Sequence, residues 1–384
     1  MKVLVIHTKY RFKGGEDSVV DNEIKLLKSE GIEVELLQFS NVGGTIFKVL
    51  QMPFNYSAYI KTKEKINSFK PDIIHIHNLH FAGSPSVIYA IKKLRVPCVI
   101  TLHNYRLLCP SAALFANGKF FGDSIHKNFP LKAILKGVYL NSRLLTFWVS
   151  LSMFFHQLKG TWKLPDKFIV LGEHSRQLFM DSKLKLKSNQ VVVKPNFCYS
   201  LACVNEREDR NYYLYIGRLS DEKGLDVLLK AFARNQLPLK IVGTGPLEHE
   251  VKAFSQRYSN INYLGNLNKE NVYTLLKNAS ALIFPSLWYE TFGMVVIEAF
   301  STGTPVIASD LGQLKSLITS QYNGLHFTPG DAQDLIKKVA FFQELPEQSK
   351  QAYRTNARNT YEEKFTPERN VKELLAIYHS AVAR

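Results

Sequence analysis

Short β-branched runs separated by helical stretches recur along almost the whole chain, and that alternation restricts it to folds built on parallel sheets. Runs at residues 3–6, 34–39, 73–77 and 98–102 read as strands, and residues 168–171 and 191–193 continue the series. Between the first two lies a loop carrying Gly14 and Gly15, then a segment apolar at Val19, Val20, Ile24, Leu26 and Leu27, which is helical spacing. At Lys194-Pro195-Asn196 a proline discourages any continuing helix. The pattern then restarts, with strands at 212–216, 239–242, 261–264, 281–284 and 305–308 and helices such as 225–233 and 247–258 between them. A length of 384 residues is about twice that of a usual domain, and 46% apolar content is enough for two cores. The expected fold is α/β: two doubly wound domains with the boundary in residues 196–210, facing each other across a cleft. In such sheets ligands bind at the carboxyl ends of the strands. The expected divisions are 1–200, 201–365 and a final helix at 366–384 opened by Thr366 and Pro367.

The second half concentrates its unusual residues where strands end. The strand at 212–216 runs into Gly217-Arg218-Leu219-Ser220-Asp221-Glu222-Lys223-Gly224, placing two cations and two glycines at the sheet edge. Arg218 offers a planar fork and Lys223 a mobile point charge for phosphate oxygens. The next strand ends in Val242-Gly243-Thr244-Gly245-Pro246, where missing side chains would let a ring or ribose approach the backbone, and Gly265-Asn266-Leu267 repeats the arrangement. Neither supplies a full GxGxxG, so a dinucleotide fold is not specifically indicated. Glu290-Thr291-Phe292-Gly293 then leads into the helical Met294-Val295-Val296-Ile297-Glu298. The amides of Phe292, Gly293 and Met294 would stand at a helix start, which attracts anions. Glu290 could accept hydrogen bonds from sugar hydroxyls and Glu298 from a ribose.

Glu290 and Glu298, GRLSDEKG, VGTGP, LGNL and FPSLWYETFG, in this order, resemble glycosyltransferase family 4 over essentially the whole chain. The resemblance implies the GT-B fold of two Rossmann-like domains, with the C-terminal helix crossing back to the N-terminal one. It also implies metal-independent transfer from a nucleotide-sugar with retention of anomeric configuration. Arg218, Lys223 and Glu290 would then act on the donor's diphosphate and sugar. Gly14, Gly15, Gly217, Gly243, Gly245, Asn266, Leu267, Thr291, Phe292, Gly293, Met294 and Glu298 would complete the donor site. His103, at the end of the strand 98–102, matches the family's active-site histidine, and Asn104, Tyr105 and Arg106 would neighbour the acceptor.

His75, His77 and His80 form an HxH-type cluster in which alternation places the first two on one strand face, as in metal sites. No cysteine or carboxylate completes it nearby in the sequence, and the resembled family needs no cation. No metal or cofactor is expected, and His77 and Asn78 are assigned to the acceptor side. The expected donor is a UDP-sugar, with GDP-mannose second. The expected acceptor is a lipid-linked glycan hydroxyl in surface polysaccharide synthesis. Competing readings are a nucleotide-sugar epimerase or hydrolase on the same scaffold, and a basic membrane- or nucleic-acid-binding protein.

Lys and Arg number 49 against 33 Asp and Glu, a formal charge of +16 that suits phosphorylated substrates, anionic lipid or nucleic acid. The cations are spread through helices rather than gathered in an arm, so no nucleic-acid partner is expected. Cys98, Cys109, Cys198 and Cys203 show neither zinc-type pairs nor disulfide density, which implies a reducing cytoplasm. The opening MKVLVIH lacks a signal-peptide pattern, so export is not expected. The apolar run at 144–155 is shorter than the ~18–20 residues a spanning helix needs. Its flanks carry Lys132, Lys136, Arg143, Lys159, Lys163 and Trp162, and Trp148 lies within it. A buried core helix is the expected reading, with peripheral contact to the inner face of an anionic cytoplasmic membrane as the alternative.

Overall fold

The computed structural model describes residues 1–9, 15–41, 49–116, 118–200 and 210–383, so Gly14 and Cys203 lie outside the described residues. The chain divides into two compact units. The first comprises Met1–Ala116, Phe121–Asn196 and Glu368–Arg384, and the second Asn117–Phe120 and Phe197–Pro367.

Unit 1 is built on six parallel strands: β1 (Lys2–Lys9), β2 (Glu33–Ser40), β3 (Ile73–Ile76), β4 (Cys98–Leu102), β5 (Lys167–Val170) and β6 (Val191–Val193). Their spatial order is β2-β1-β3-β4-β5-β6. Every residue of β3, β4 and β5 is buried, as a sheet covered by helices on both faces requires. Strand order reverses between β1 and β3, which opens a crevice at their carboxyl ends. Helix α1 (Gly15–Ser29) follows β1 and buries Val19, Val20, Leu26 and Leu27 at helical spacing, together with Asp17 and Glu23.

Helices α2 (Leu131–Lys136) and α3 (Arg143–Leu158) belong to the same unit. The run at 144–155 was expected to be a buried core helix, and α3 corrects this. It buries Thr146, Val149, Ser150, Ser152 and His156, while Leu144, Phe147, Leu151, Phe155 and Leu158 are exposed. Among the described residues, no helix is long and apolar enough to cross a membrane.

Unit 2 repeats the design with β7 (Tyr213–Ile216), β8 (Leu239–Val242), β9 (Ile261–Gly265), β10 (Ala281–Phe284), β11 (Val306–Ser309) and β12 (Gly324–Phe327). The order β9-β8-β7-β10-β11-β12 reverses between β7 and β10. Helix α4 (Leu225–Asn235) packs Leu225, Leu228, Leu229 and Phe232 against this sheet, a continuous apolar stripe. Strand β12 has no counterpart in the sequence reading: its four residues include a glycine and a histidine and give no β-branched signal. A Cβ on Gly324 would come within 2.1 Å of the Val306 carbonyl oxygen, so the close pairing with β11 requires glycine there.

The last helix, α6 once α5 (Met294–Ser301) is counted, spans Pro367–Val382, and its residues from Glu368 onward fold into unit 1.

Candidate active site

Unit 2 places its charged residues at the β7/β10 reversal. The turn Asp221–Lys223 leaves β7 and passes through Gly224, at φ 71°, into α4. A Cβ on Gly224 would lie 1.9 Å from the Pro285 carbonyl oxygen, so this glycine lets the loops after β7 and β10 touch. The contact carries Lys223 to Glu290, with Nζ 2.6 Å from Oε1. Ser286 Oγ and Trp288 Nε1 donate to the same oxygen at 2.8 and 2.6 Å. Lys223 also lies 5.0 Å from the Trp288 ring centre, a cation–π distance. Glu290 is 7% exposed, so these charge-assisted bonds operate largely out of water, each worth about 1.5–3 kcal/mol. Arg218, at the mouth of the same loop, is exposed.

Gly243, at φ 138°, lies so close to the first loop that a Cβ would come within 1.9 Å of the Gly217 carbonyl oxygen. At Gly245 the clash would be with Leu219 oxygen at 2.3 Å. These glycines therefore serve loop-on-loop packing, a requirement the sequence reading attributed to ligand approach alone. Tyr263, on β9, donates to the Gly243 carbonyl at 3.0 Å, and Asn266 and Leu267 follow as an exposed and a half-buried residue. Helix α5 starts where expected, with Gly293 at φ 110° as its N-cap and Met294 as its first residue. Phe292 is buried with its ring 5.9 Å from that of Phe365, and Thr291 is half-buried. Burial pushes the Glu298 carboxyl up to about 7, against the pull of Lys269.

Unit 1 gathers its titratable groups at the β1/β3 reversal and along β4. His77 directly follows β3 and His103 follows β4, with His77 Nδ1 2.9 Å from His103 Nε2 and the rings nearly parallel. Behind them Glu23, from α1, puts Oε1 3.1 Å from both His75 Nδ1 and His77 Nε2. Its other oxygen lies 3.2 Å from Lys194 Nζ, which also donates to Asn370 Oδ1 at 3.0 Å. Burial alone would raise the Glu23 carboxyl, but Lys194, His75 and His77 together hold it well below its ordinary value. Burial, then His75, lowers His77 to about 4, so a carboxylate faces a neutral imidazole. Burial likewise holds His103 well below the usual histidine range.

The expectation that no carboxylate completes the histidine cluster is overturned by Glu23. Among the described residues Glu23, His75 and His77 have ligand atoms within 4.8 Å of one another. Sequence proximity could not show this, because α1 brings Glu23 from a distant part of the chain. His80 stands apart, its Nε2 3.2 Å from Tyr139 Oη. The cluster already has protein partners. Lys194 supplies a cation, and the two nitrogens of His75 lie 2.7 Å from Tyr378 Oη and Thr101 Oγ1.

A cavity of about 110 Å³ opens beside these histidines, lined in part by His77, Asn78, His103, Asn104 and Arg106. Asn78 and Asn104 turn their side chains back on the main chain, accepting from His80 and Arg106 N–H at 2.8 and 3.0 Å. Arg106 also donates to the Pro110 carbonyl and covers the Tyr139 ring at 5.0 Å. Tyr105 is fully buried, with its hydroxyl 3.1 Å from Ser175 Oγ. Gly15 opens α1 with free space around it. Next to it, Asp17 Oδ1 lies 2.9 Å from His7 Nε2, and burial, reinforced by Asp17, pushes Glu16 up to about 8.

Two doubly wound units, each with its polar cluster at the strand-order reversal, make up the GT-B architecture. Residues 13–197 match the model of Glycosyltransferase Family 4, and residues 202–360 that of Glycosyl transferases group 1. The chain belongs to glycosyltransferase family 4 and is an enzyme of that class. It is 27% identical to an uncharacterized glycosyltransferase of Methanocaldococcus jannaschii over 88% of this chain and 87% of that one. It is 34% identical to the O-antigen chain mannosyltransferase C of Escherichia coli over 44% and 46% of the respective chains. The Anabaena protein HepE, solved with UDP-glucose, shares the fold at a TM-score of 0.65 and 17% identity, over 99% of this chain and 100% of that one.

Proposed function

We propose that the enzyme moves a sugar from a nucleotide-sugar to a hydroxyl of a lipid-linked glycan, with retention and without a metal, in the cytoplasmic synthesis of surface polysaccharide. The observation that carries this reading is the Lys223–Glu290 pair beside the start of α5, at the strand reversal of unit 2. Lys223, Arg218 and the amides of Phe292, Gly293 and Met294 would hold the departing diphosphate, and that stabilisation is the main catalytic contribution. The bond from the anomeric carbon to the phosphate oxygen breaks through an oxocarbenium-like state. The acceptor oxygen enters on the same face, and its proton passes to the leaving phosphate. Glu290, fixed by Lys223, Ser286 and Trp288, orients the sugar hydroxyls. His103, set by its contact with His77, positions the acceptor in the unit 1 cavity.

A UDP-sugar is the favoured donor, as in the complex reported for HepE. The mannosyltransferase name of the Escherichia coli relative supports GDP-mannose as the second choice. Thermal-shift measurements with UDP-glucose, UDP-galactose, UDP-N-acetylglucosamine and GDP-mannose, followed by transfer to lipid pyrophosphate glycans, test the reading. The expected product keeps the donor's anomeric configuration by NMR. Release of free sugar or an epimer at equal rates with and without acceptor would instead indicate a hydrolase or epimerase.

A further inference from the structure

Helix α3 is apolar on both sides: Val149, Leu145, Trp148 and Met153 pack inward against Met52 and Tyr139, and a second apolar row faces outward. A helix on the surface of a water-soluble domain turns its apolar stripe inward. The inward side of α3 also carries satisfied polar groups: Thr146 Oγ1 donates to Ser142 O at 2.7 Å, Ser150 Oγ to Thr146 O at 2.6 Å, and His156 Nε2 lies 2.7 Å from Pro53 O. The outward side carries Leu144, Phe147, Leu151, Phe155 and Leu158, spaced three and four apart so that they form one row. Leu144 is 77% exposed and Leu158 69%. Helix α2, packed against α3, adds Leu131 and Leu135, and Leu140 in the connection is exposed as well.

The row is framed by charge of one sign. Residues 127–163 contain Lys127, Lys132, Lys136, Arg143, Lys159 and Lys163 and no Asp or Glu. All six cations are exposed. Asp123, just upstream, pairs with Lys127 at 3.1 Å and Lys132 at 3.4 Å. Lys159 Nζ lies 4.9 Å from the Phe155 ring centre and Lys136 Nζ 5.0 Å from that of Phe121. Both ammonium groups thus lie at cation–π distance from aromatic rings.

We propose that the outward face of α2 and α3 seats in the surface of an anionic lipid bilayer, with the leucines and phenylalanines in the acyl boundary and the cations among the headgroups. A bilayer fits better than a second protein chain because residues 127–163 around the row carry six exposed cations and no carboxylate. A self-complementary contact would set these cations against their own copies, whereas anionic headgroups neutralise them from every direction. The inner side of α3 gives the attachment a use. Val149, Ser152 and Met153 line the same cavity as His77 and His103, so one helix has lipid on one side and the candidate acceptor pocket on the other. This link to a lipid-borne acceptor rests on the proposed transfer reaction; the bilayer contact does not.

The test is co-sedimentation of the full chain with vesicles of equimolar phosphatidylcholine and phosphatidylglycerol, compared with phosphatidylcholine alone, at low and high salt. The wild type is expected to pellet with the anionic vesicles and to be released by salt. Leu144→Ser with Phe155→Ser is expected to weaken partitioning by at least about tenfold, and Lys136→Glu with Arg143→Glu by a similar factor. Both double variants lie on exposed positions and should keep the wild-type unfolding midpoint. They should also keep the wild-type transfer rate to a water-soluble acceptor. Wild-type protein left in the supernatant at low salt would overturn the proposal, as would serine variants that bind vesicles like the wild type. A wild-type dimer in sedimentation equilibrium that the serine changes convert to monomer would also overturn it, by assigning the face to a second copy. Vesicle binding without transfer to any acceptor would leave the bilayer contact standing and the transfer reading refuted.

Discussion

Lys223 Nζ and Glu290 Oε1 stand 2.6 Å apart, joined across two loops that can meet only because residue 224 is glycine. Each therefore holds the other in place before any ligand arrives. Lys223→Ala and Glu290→Ala are each expected to lower kcat/KM by about a hundredfold, roughly 2.7 kcal/mol. The double variant should lose much less than the product of the two, because either single change already disorders the partner. Independent effects that multiply in steady-state assays would show that the pair does not work as a unit.

Glu298 is pushed up to about 7, so its carboxylate forms only as pH rises through neutrality. If it accepts hydrogen bonds from the donor's ribose, UDP affinity should increase from pH 6 to pH 8, since only the charged form is acceptor-only. Calorimetric titration of UDP should show that rise in the wild type, and Glu298→Gln should flatten it. An identical pH dependence in the variant would remove Glu298 from the donor site.

Lys194 and Glu23 form a buried pair with little access to water. Lys194→Met removes the lysine and leaves the buried carboxylate with only His75 and His77 beside it, a cost of about 3–5 kcal/mol in urea unfolding. The folded-state value of Glu23 is depressed, so its stabilising contribution is complete above the unfolded value of about 4.3 and is lost as pH falls through the folded one. The gap between wild type and variant should thus narrow on acidification below about pH 4. A gap that is constant with pH would point to lost packing.

The Glu23–His75–His77 group has the donor atoms of a metal site, yet Lys194 already brings a positive charge to the same carboxylate. Neither zinc nor a chelator is expected to move the melting temperature or the transfer rate. A zinc-dependent rise in melting temperature that His77→Ala abolishes would assign a metal to this cluster and overturn the metal-independent reading.

Much of the unit 2 loop cluster was legible because its parts are contiguous in sequence. Gly217 to Gly224 and Glu290 to Glu298 each occupy a single loop and helix start. Alternating strands and helices fix where such loops fall relative to a parallel sheet. Of the unit 1 cavity, His77, Asn78, His103, Asn104 and Arg106 were legible because they stand at or just beyond strand ends. Glu23, Lys194 and Tyr378 went unassigned because nothing local marks them: Lys194 and Glu23 are 171 residues apart, and His75 and Tyr378 are 303 apart.

The sequence by itself determined the α/β class, the apolar character of the 144–155 run and the position of the charged loops, since each follows from local composition, short-range periodicity and turn chemistry. Only the tertiary structure decided which face of α3 meets the core. The run is apolar nearly throughout, so only packing shows that Leu145, Trp148, Val149 and Met153 turn inward while Leu144, Phe147, Leu151, Phe155 and Leu158 stay outside. It likewise decided that Gly243 is held against Gly217 and that Glu23 stands behind two histidines, because strand order and helix packing, rather than proximity along the chain, bring those residues together.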